Sequence, residues 1–193
     1  SCASRIKITV AAGLMGVVII FTNSMVFYYP LEYILMEITD SLETDIKDAP
    51  DWFHSAISQS PRKENLNHPL GNVAYQGWDR KDAQDIIILI HGTGTHKQWW
   101  DTISTLLCNK FSIIAPDLPG MGESDHRNAY NFEDFSDALI EIFHQEKIVH
   151  GNQKVYLVGH SLGGQVAGFL ASEFPDLFHG VVMIDSPIRP PTY

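Results

Sequence analysis

The 193-residue sequence predicts an α/β protein, a three-layer sandwich in which a mostly parallel sheet lies between helices. Three observations predict it. Short apolar runs alternate with longer stretches of helical periodicity, the pattern of strands joined by crossover helices. The run Ile86-Ile-Ile-Leu-Ile90 is continuous rather than alternating, which marks a strand covered on both faces. Polar residues capable of chemistry stand at the ends of successive runs: His91-Gly92, Asp117, Ser161 and Asp185. In open sheets of this kind ligands bind beyond the carboxyl ends of the strands, so these positions converge on one rim.

Taken in order, the elements begin with Val73–Trp78 as a first strand and Ile86–Ile90 as a second. Trp99, Ile103, Leu106 and Leu107 recur at helical spacing, and Trp99 and Trp100 read as packing residues of that helix. Phe111–Ala115 is the next strand. Asn131 caps a helix whose apolar stripe is Phe132, Phe135, Leu139, Ile142 and Phe143. Val155–Val158 is a strand, Leu162, Val166, Phe169 and Leu170 line the helix after it, and Gly180–Ile184 is the last strand.

Before this pattern the chain differs in character. Residues 1–30 carry Arg5 and Lys7 ahead of an uncharged greasy stretch, Ile8 to Tyr29. As a helix this stretch would be about 33 Å long at 1.5 Å per residue, enough for a bilayer core of about 30 Å. It predicts membrane anchoring through residues 8–29, with the basic end cytoplasmic and the remainder on the non-cytoplasmic side. A signal peptide cleaved near Ser24 and a buried helix are the alternatives. Residues 31–70, punctuated by Pro50, Pro61 and Pro69, read as a connecting segment with a helical turn or two at Leu31–Met36, and residues 71–193 as the α/β domain.

Composition narrows the function. Thirteen basic residues against 23 acidic ones give a net charge of −10, without the basic stripe that nucleic acid requires. Cys2 and Cys108 allow neither a disulfide framework nor a zinc site. The glycine pairs Gly92/Gly94 and Gly120/Gly122 lack the third glycine of a dinucleotide fingerprint, there is no phosphate-loop lysine, and there is no H-E-x-x-H. No cofactor and no metal are expected.

The most informative segment is Val155-Tyr-Leu-Val-Gly-His-Ser-Leu-Gly-Gly164. A strand reverses at once into a helix, and G-x-S-x-G is met by Gly159, Ser161 and Gly163. The glycines permit close backbone approach, and the serine at the apex is held in a strained conformation with its hydroxyl in the open. The following helix directs free N–H groups at charge developing beside that hydroxyl.

With His91-Gly-Thr-Gly94 and Asp117-Leu-Pro-Gly-Met-Gly-Glu-Ser124 in their places on preceding strands, the sequence resembles the α/β-hydrolase superfamily over roughly residues 71–188. The resemblance implies a serine-dependent hydrolase that acts on a carboxylic ester or related acyl bond of a small molecule through an acyl-enzyme. It implies Ser161 as nucleophile, the backbone N–H groups of Thr93 and Leu162 as oxyanion donors, and His91, Gly92 and Gly94 as the loop that carries the first of them. Some members place the triad acid where Asp185 stands; the alternative is a rim carboxylate that caps the next loop. The family's histidine follows its acid along the chain, yet of nine histidines only His179 lies beyond Ser161, and it precedes the last strand. The expectation is therefore a fold truncated before its lid and last strands, inactive by itself. A non-catalytic binding protein, an acyltransferase and a C–C hydrolase using the same turn remain as alternatives.

Overall fold

The computed structural model describes residues 10–12, 17–22, 25–30, 47–81, 83, 85–148 and 153–187. The chain divides into two compact units, Ser1–His54 and Ser55–Tyr193.

In the first unit the described residues form strands β1 (Val10–Ala12), β2 (Val17–Thr22) and β3 (Met25–Pro30), an antiparallel sheet in the order β1-β2-β3. Thr22 pairs with Met25 and Val17 with Pro30. This corrects the expected anchoring helix over residues 8–29: among the described residues no helix is long and apolar enough to cross a membrane. The physical reason lies in the side chains. Val17, Val18, Ile19, Ile20 and Val26 are β-branched, Phe27, Tyr28 and Tyr29 aromatic, and both classes prefer the pleated conformation. Hydropathy reports apolarity and says nothing of conformation. The helical turn expected at Leu31–Met36 lies outside the described residues.

Helix α1 (Asp51–Ile57) bridges the two units in sequence. The second unit is built on a six-stranded sheet: β4 (Arg62–Leu66), β5 (Val73–Trp78), β6 (Asp85–Ile90), β7 (Ser112–Pro116), β8 (Lys154–His160) and β9 (Gly180–Ile184), in the order β4-β5-β7-β6-β8-β9. β4, β5 and β7 pair antiparallel; β7, β6, β8 and β9 run parallel. The sheet thus starts at Arg62, inside the stretch expected to be a connecting segment. β4 escaped the apolar pattern because it is an edge strand, Arg-Lys-Glu-Asn-Leu, with only Leu66 buried.

Three layers follow from the alternation along β6. Ile86, Ile88 and Ile90 face one way and pack with α3 (Phe132–Gln145) and α4 (Leu162–Glu173); Ile87 and Leu89 face the other way, with Trp100 and Trp78. α3 is capped as the sequence suggests, with Asn131 Oδ1 accepting the Asp134 N–H at 2.6 Å. A 3₁₀ turn (Lys97–Trp100) leads into α2 (Asp101–Leu107). Here three of the four members of the expected stripe are turned outward: Trp99, Ile103 and Leu106 are exposed, while Leu107 packs against the core with Trp100, and Ser104 and Thr105 are buried.

The chain runs from β6 to β7 on one side of the sheet, then returns to β8 on the other side of β6. The loops leaving β6 and β8 therefore diverge, which opens a crevice at their carboxyl ends.

Candidate active site

Ser161 sits between the end of β8 and the start of α4, with φ 52° and ψ −117°. This left-handed conformation is costly for a residue with a Cβ and persists only where surrounding structure imposes it. Three constraints impose it here. The Ser161 N–H donates to Ile184 O at 2.9 Å, which ties the turn to β9. A Cβ on Gly159 would run into the backbone of Gly163, and one on Gly163 would run into the carbonyls of Ile90 and His91. The turn is thus wedged between its own helix and the end of β6, and only glycine at both flanks allows it.

The loop after β6 lies against this turn. A Cβ on Gly92 would meet His160 Nδ1 at 2.9 Å and Ser161 Cβ at 3.2 Å, so the loop backbone touches the serine side chain. Gly94 follows at φ +73° with open space around it, and Thr93 between them is exposed. Neither the Thr93 N–H nor the Leu162 N–H has an acceptor among the described residues. At the first position of α4 the Leu162 N–H has no intrahelical partner either. Two free amide protons therefore stand on the two segments that flank the Ser161 side chain, a polarity suited to an oxyanion.

The loop is braced from below. His91 is fully buried; its Nδ1–H donates to Gly92 O at 2.8 Å and its Nε2 accepts the Leu118 N–H at 3.0 Å. Burial pushes the imidazole below its ordinary value, partly offset by the Gly92 hydrogen bond and by Asp117, so it is neutral and structural at pH 7. Lys97 and Asp117, both fully buried, pair at 2.7 Å between Nζ and Oδ2. Asp117 also accepts the backbone N–H groups of Lys97 at 2.6 Å and Glu123 at 2.8 Å. Burial would lower the Lys97 ammonium, but its bonds to Asp117 and Glu123 outweigh it and hold the group above its ordinary value. Nothing in the sequence pattern flags Lys97: a lone lysine before Gln-Trp-Trp reads as surface.

His160 packs against Trp99 with ring centroids 4.5 Å apart and the planes tilted by 55°, and its buried Nδ1 has no hydrogen-bond partner among the described residues. Trp99 thus stands next to the nucleophile turn, a placement that helical periodicity could not reveal. Asp185 follows β9 at φ 47° and is exposed; the Ser161–Ile184 bond brings its strand end beside the serine turn. Among the described residues no side chain hydrogen-bonds the Ser161 hydroxyl, and no group of three or more His, Cys, Asp or Glu is arranged to hold a metal.

The model of the alpha/beta hydrolase fold family matches residues 85–192. An uncharacterized protein of Mycobacterium tuberculosis is 35% identical over 101 residues, covering 52% of this chain and 28% of its own length. A serine hydrolase-like protein of Danio rerio is 29% identical over 120 residues, 61% of this chain and 36% of its own. Among solved structures, a haloalkane dehalogenase of Bradyrhizobium elkanii superposes with a TM-score of 0.59 at 30% identity, over 68% of this chain and 42% of that one. The chain spans about a third or less of the curated relatives it matches.

Proposed function

From the premise that this chain belongs to the alpha/beta hydrolase fold family, we propose that the intact protein hydrolyses a carboxylic ester or related acyl bond through an acyl-enzyme on Ser161. One observation carries the reading: the Ser161 side chain is held between two backbone segments whose N–H groups at Thr93 and Leu162 are free. A serine in that place forms an ester with an acyl carbon, where a dehalogenating turn needs a carboxylate to displace halide.

Ser161 Oγ bonds to the acyl carbon as its proton passes to a base, and the two N–H groups hold the resulting oxyanion. The carbonyl re-forms as the alcohol leaves with that proton. Water repeats the attack, the acid departs and Ser161 regains its hydrogen. The base is an imidazole from outside the described residues: His91 spends both ring nitrogens on Gly92 and Leu118, and no described side chain, that of the neighbouring His160 included, hydrogen-bonds the Ser161 hydroxyl. Asp185 is the candidate to orient that imidazole, from the strand end beside the serine turn.

A fluorophosphonate probe tests this directly. Attack by Oγ forms an O–P bond and expels fluoride, so mass spectrometry of the intact protein will locate the adduct on Ser161, and Ser161→Ala will abolish both labelling and ester turnover. A folded, intact protein that neither labels nor turns over a short-chain ester would instead be a binding protein built on the same fold.

A further inference from the structure

A cavity of about 470 Å³ opens beside the nucleophile turn, between the Pro119–Met121 turn and the start of α3. Leu162, the residue after Ser161, forms part of its wall, so the cavity adjoins the turn that carries the hydroxyl. Its size falls within the range of small-molecule sites. Its chemistry is narrower. Met121, Tyr130, Phe132, Phe135 and Leu162 supply the walls, and no Lys, Arg, Asp or Glu lines it.

Several of the polar atoms on those walls are already engaged. Asn131 Oδ1 accepts the Asp134 N–H at 2.6 Å. The Tyr130 hydroxyl accepts the Arg127 N–H at 3.0 Å and meets His126 Nδ1 at 3.2 Å. The Asn131 amide nitrogen and His126 Nε2 are not engaged among the described residues, but both residues are exposed, so water satisfies these groups and they demand nothing of a ligand. The apolar surface is also fixed in place. Tyr130 stacks on Phe135 at 6.1 Å and Phe132 on Phe169 at 5.7 Å. A Cβ on Gly120 would collide with the Tyr130 ring, so turn and ring are in contact. Phe132, stacked on Phe169 on one side, remains 36% exposed at the mouth.

We infer that this cavity takes the hydrocarbon tail of the acyl group whose carbonyl Ser161 attacks, which makes the substrate class an ester of a medium-chain carboxylic acid. The inference rests on the acyl-enzyme reading above and adds to it the side of the scissile bond on which specificity is exercised.

The test is a series of p-nitrophenyl esters, acetyl to octanoyl, assayed with the intact protein. Each methylene moved from water into the cavity is worth about fourfold, so kcat/KM will rise roughly 10²-fold from acetyl to hexanoyl and level off when the space is filled. Phe132→Asp places a charge in the wall yet suits the first turn of a helix, and it will collapse the hexanoyl-to-acetyl ratio toward one. Met121→Trp fills the cavity and will move the optimum to a shorter chain. Equal kcat/KM across the series, a preference that follows the alcohol chain instead, or a ratio untouched by both variants would overturn the inference. A short fluorophosphonate run alongside separates the two levels: labelling of Ser161 without chain-length preference removes this inference alone, and absence of labelling removes the acyl-enzyme reading and this inference with it.

Discussion

Replacing Lys97 by Met keeps the length and apolar stem of the side chain and deletes one buried charge. The partner left behind is Asp117, fully buried beneath the loops that follow β6 and β7. At 2.7 Å the Coulomb attraction between the two is about 6 kcal/mol at an effective dielectric of 20. Breaking a buried pair by removing one partner costs about 3–5 kcal/mol, since the other charge stays desolvated. Asp117 would keep the two backbone N–H bonds from Lys97 and Glu123, which places the expected loss near the lower end, about 3 kcal/mol. The second partner, Glu123, is 60% exposed and adds little, as surface pairs do. That loss is a large share of a typical domain stability of about 5–15 kcal/mol. Equilibrium denaturation read by tryptophan fluorescence measures it. In an Asp117→Asn background the same substitution should cost about 1 kcal/mol or less, because no charge is then stranded. A single-variant cost below about 1 kcal/mol, or the same cost in both backgrounds, would refute the assignment of Lys97 as the counter-charge that holds these loops.

Two further outcomes follow from the same loops. Gly92→Ala drives a methyl group against His160 and Ser161; in an ester assay on the intact protein it should lower kcat by about 10²-fold, as loss of one oxyanion donor does. Stability should also fall on acidification in two stages. His91 has a folded value below its ordinary 6.5, so the unfolded chain binds the proton first; its contribution is complete above 6.5 and declines as pH falls below it, by up to about 1.4 kcal/mol per pH unit. Glu123 is likewise held below its ordinary 4.5 by Lys97, so its contribution is present above 4.5 and lost as pH falls further. Denaturation midpoints between pH 7 and 5 check the first stage, and a slope unchanged by His91→Gln would remove its cause.

How much of this was legible in the sequence depends on whether the determining contacts are local. The turn at Ser161 is specified by glycines two residues to either side: Gly159 is required by the backbone of Gly163 within the motif itself, Gly163 by the end of β6, and both requirements leave a glycine that the sequence shows. β6 and β8 are apolar along most of their length because helices cover both faces, and that too is written along the chain. β4 is not. Its place in the sheet comes from pairing with β5 and from Arg62, which binds Asp79 and Glu146 far along the sequence. The strands over Val10–Pro30 were hidden differently: an uncharged stretch satisfies a helical and a pleated reading equally until side-chain branching is weighed.

The outward stripe of α2 is the clearest case of a local pattern losing to a distant one. Trp99, Ile103 and Leu106 do form a stripe at helical spacing, and burying them would remove apolar surface from water. They are nonetheless outside. On the opposite face Gln76 Nε2 donates to Lys97 O at 3.0 Å and to Asp101 Oδ1 at 2.6 Å, and Lys97 reaches Asp117. Rotating the segment to bury the stripe would break these bonds and strand Asp117 and Gln76 inside the sheet. An unpaired buried charge costs more than the few kcal/mol that half-burying three apolar side chains returns. The polar network therefore sets the rotation of the helix, and through it the place of Trp99 against His160. Periodicity announces that a stripe exists; which surface it faces is decided by the groups that cannot be left unpaired.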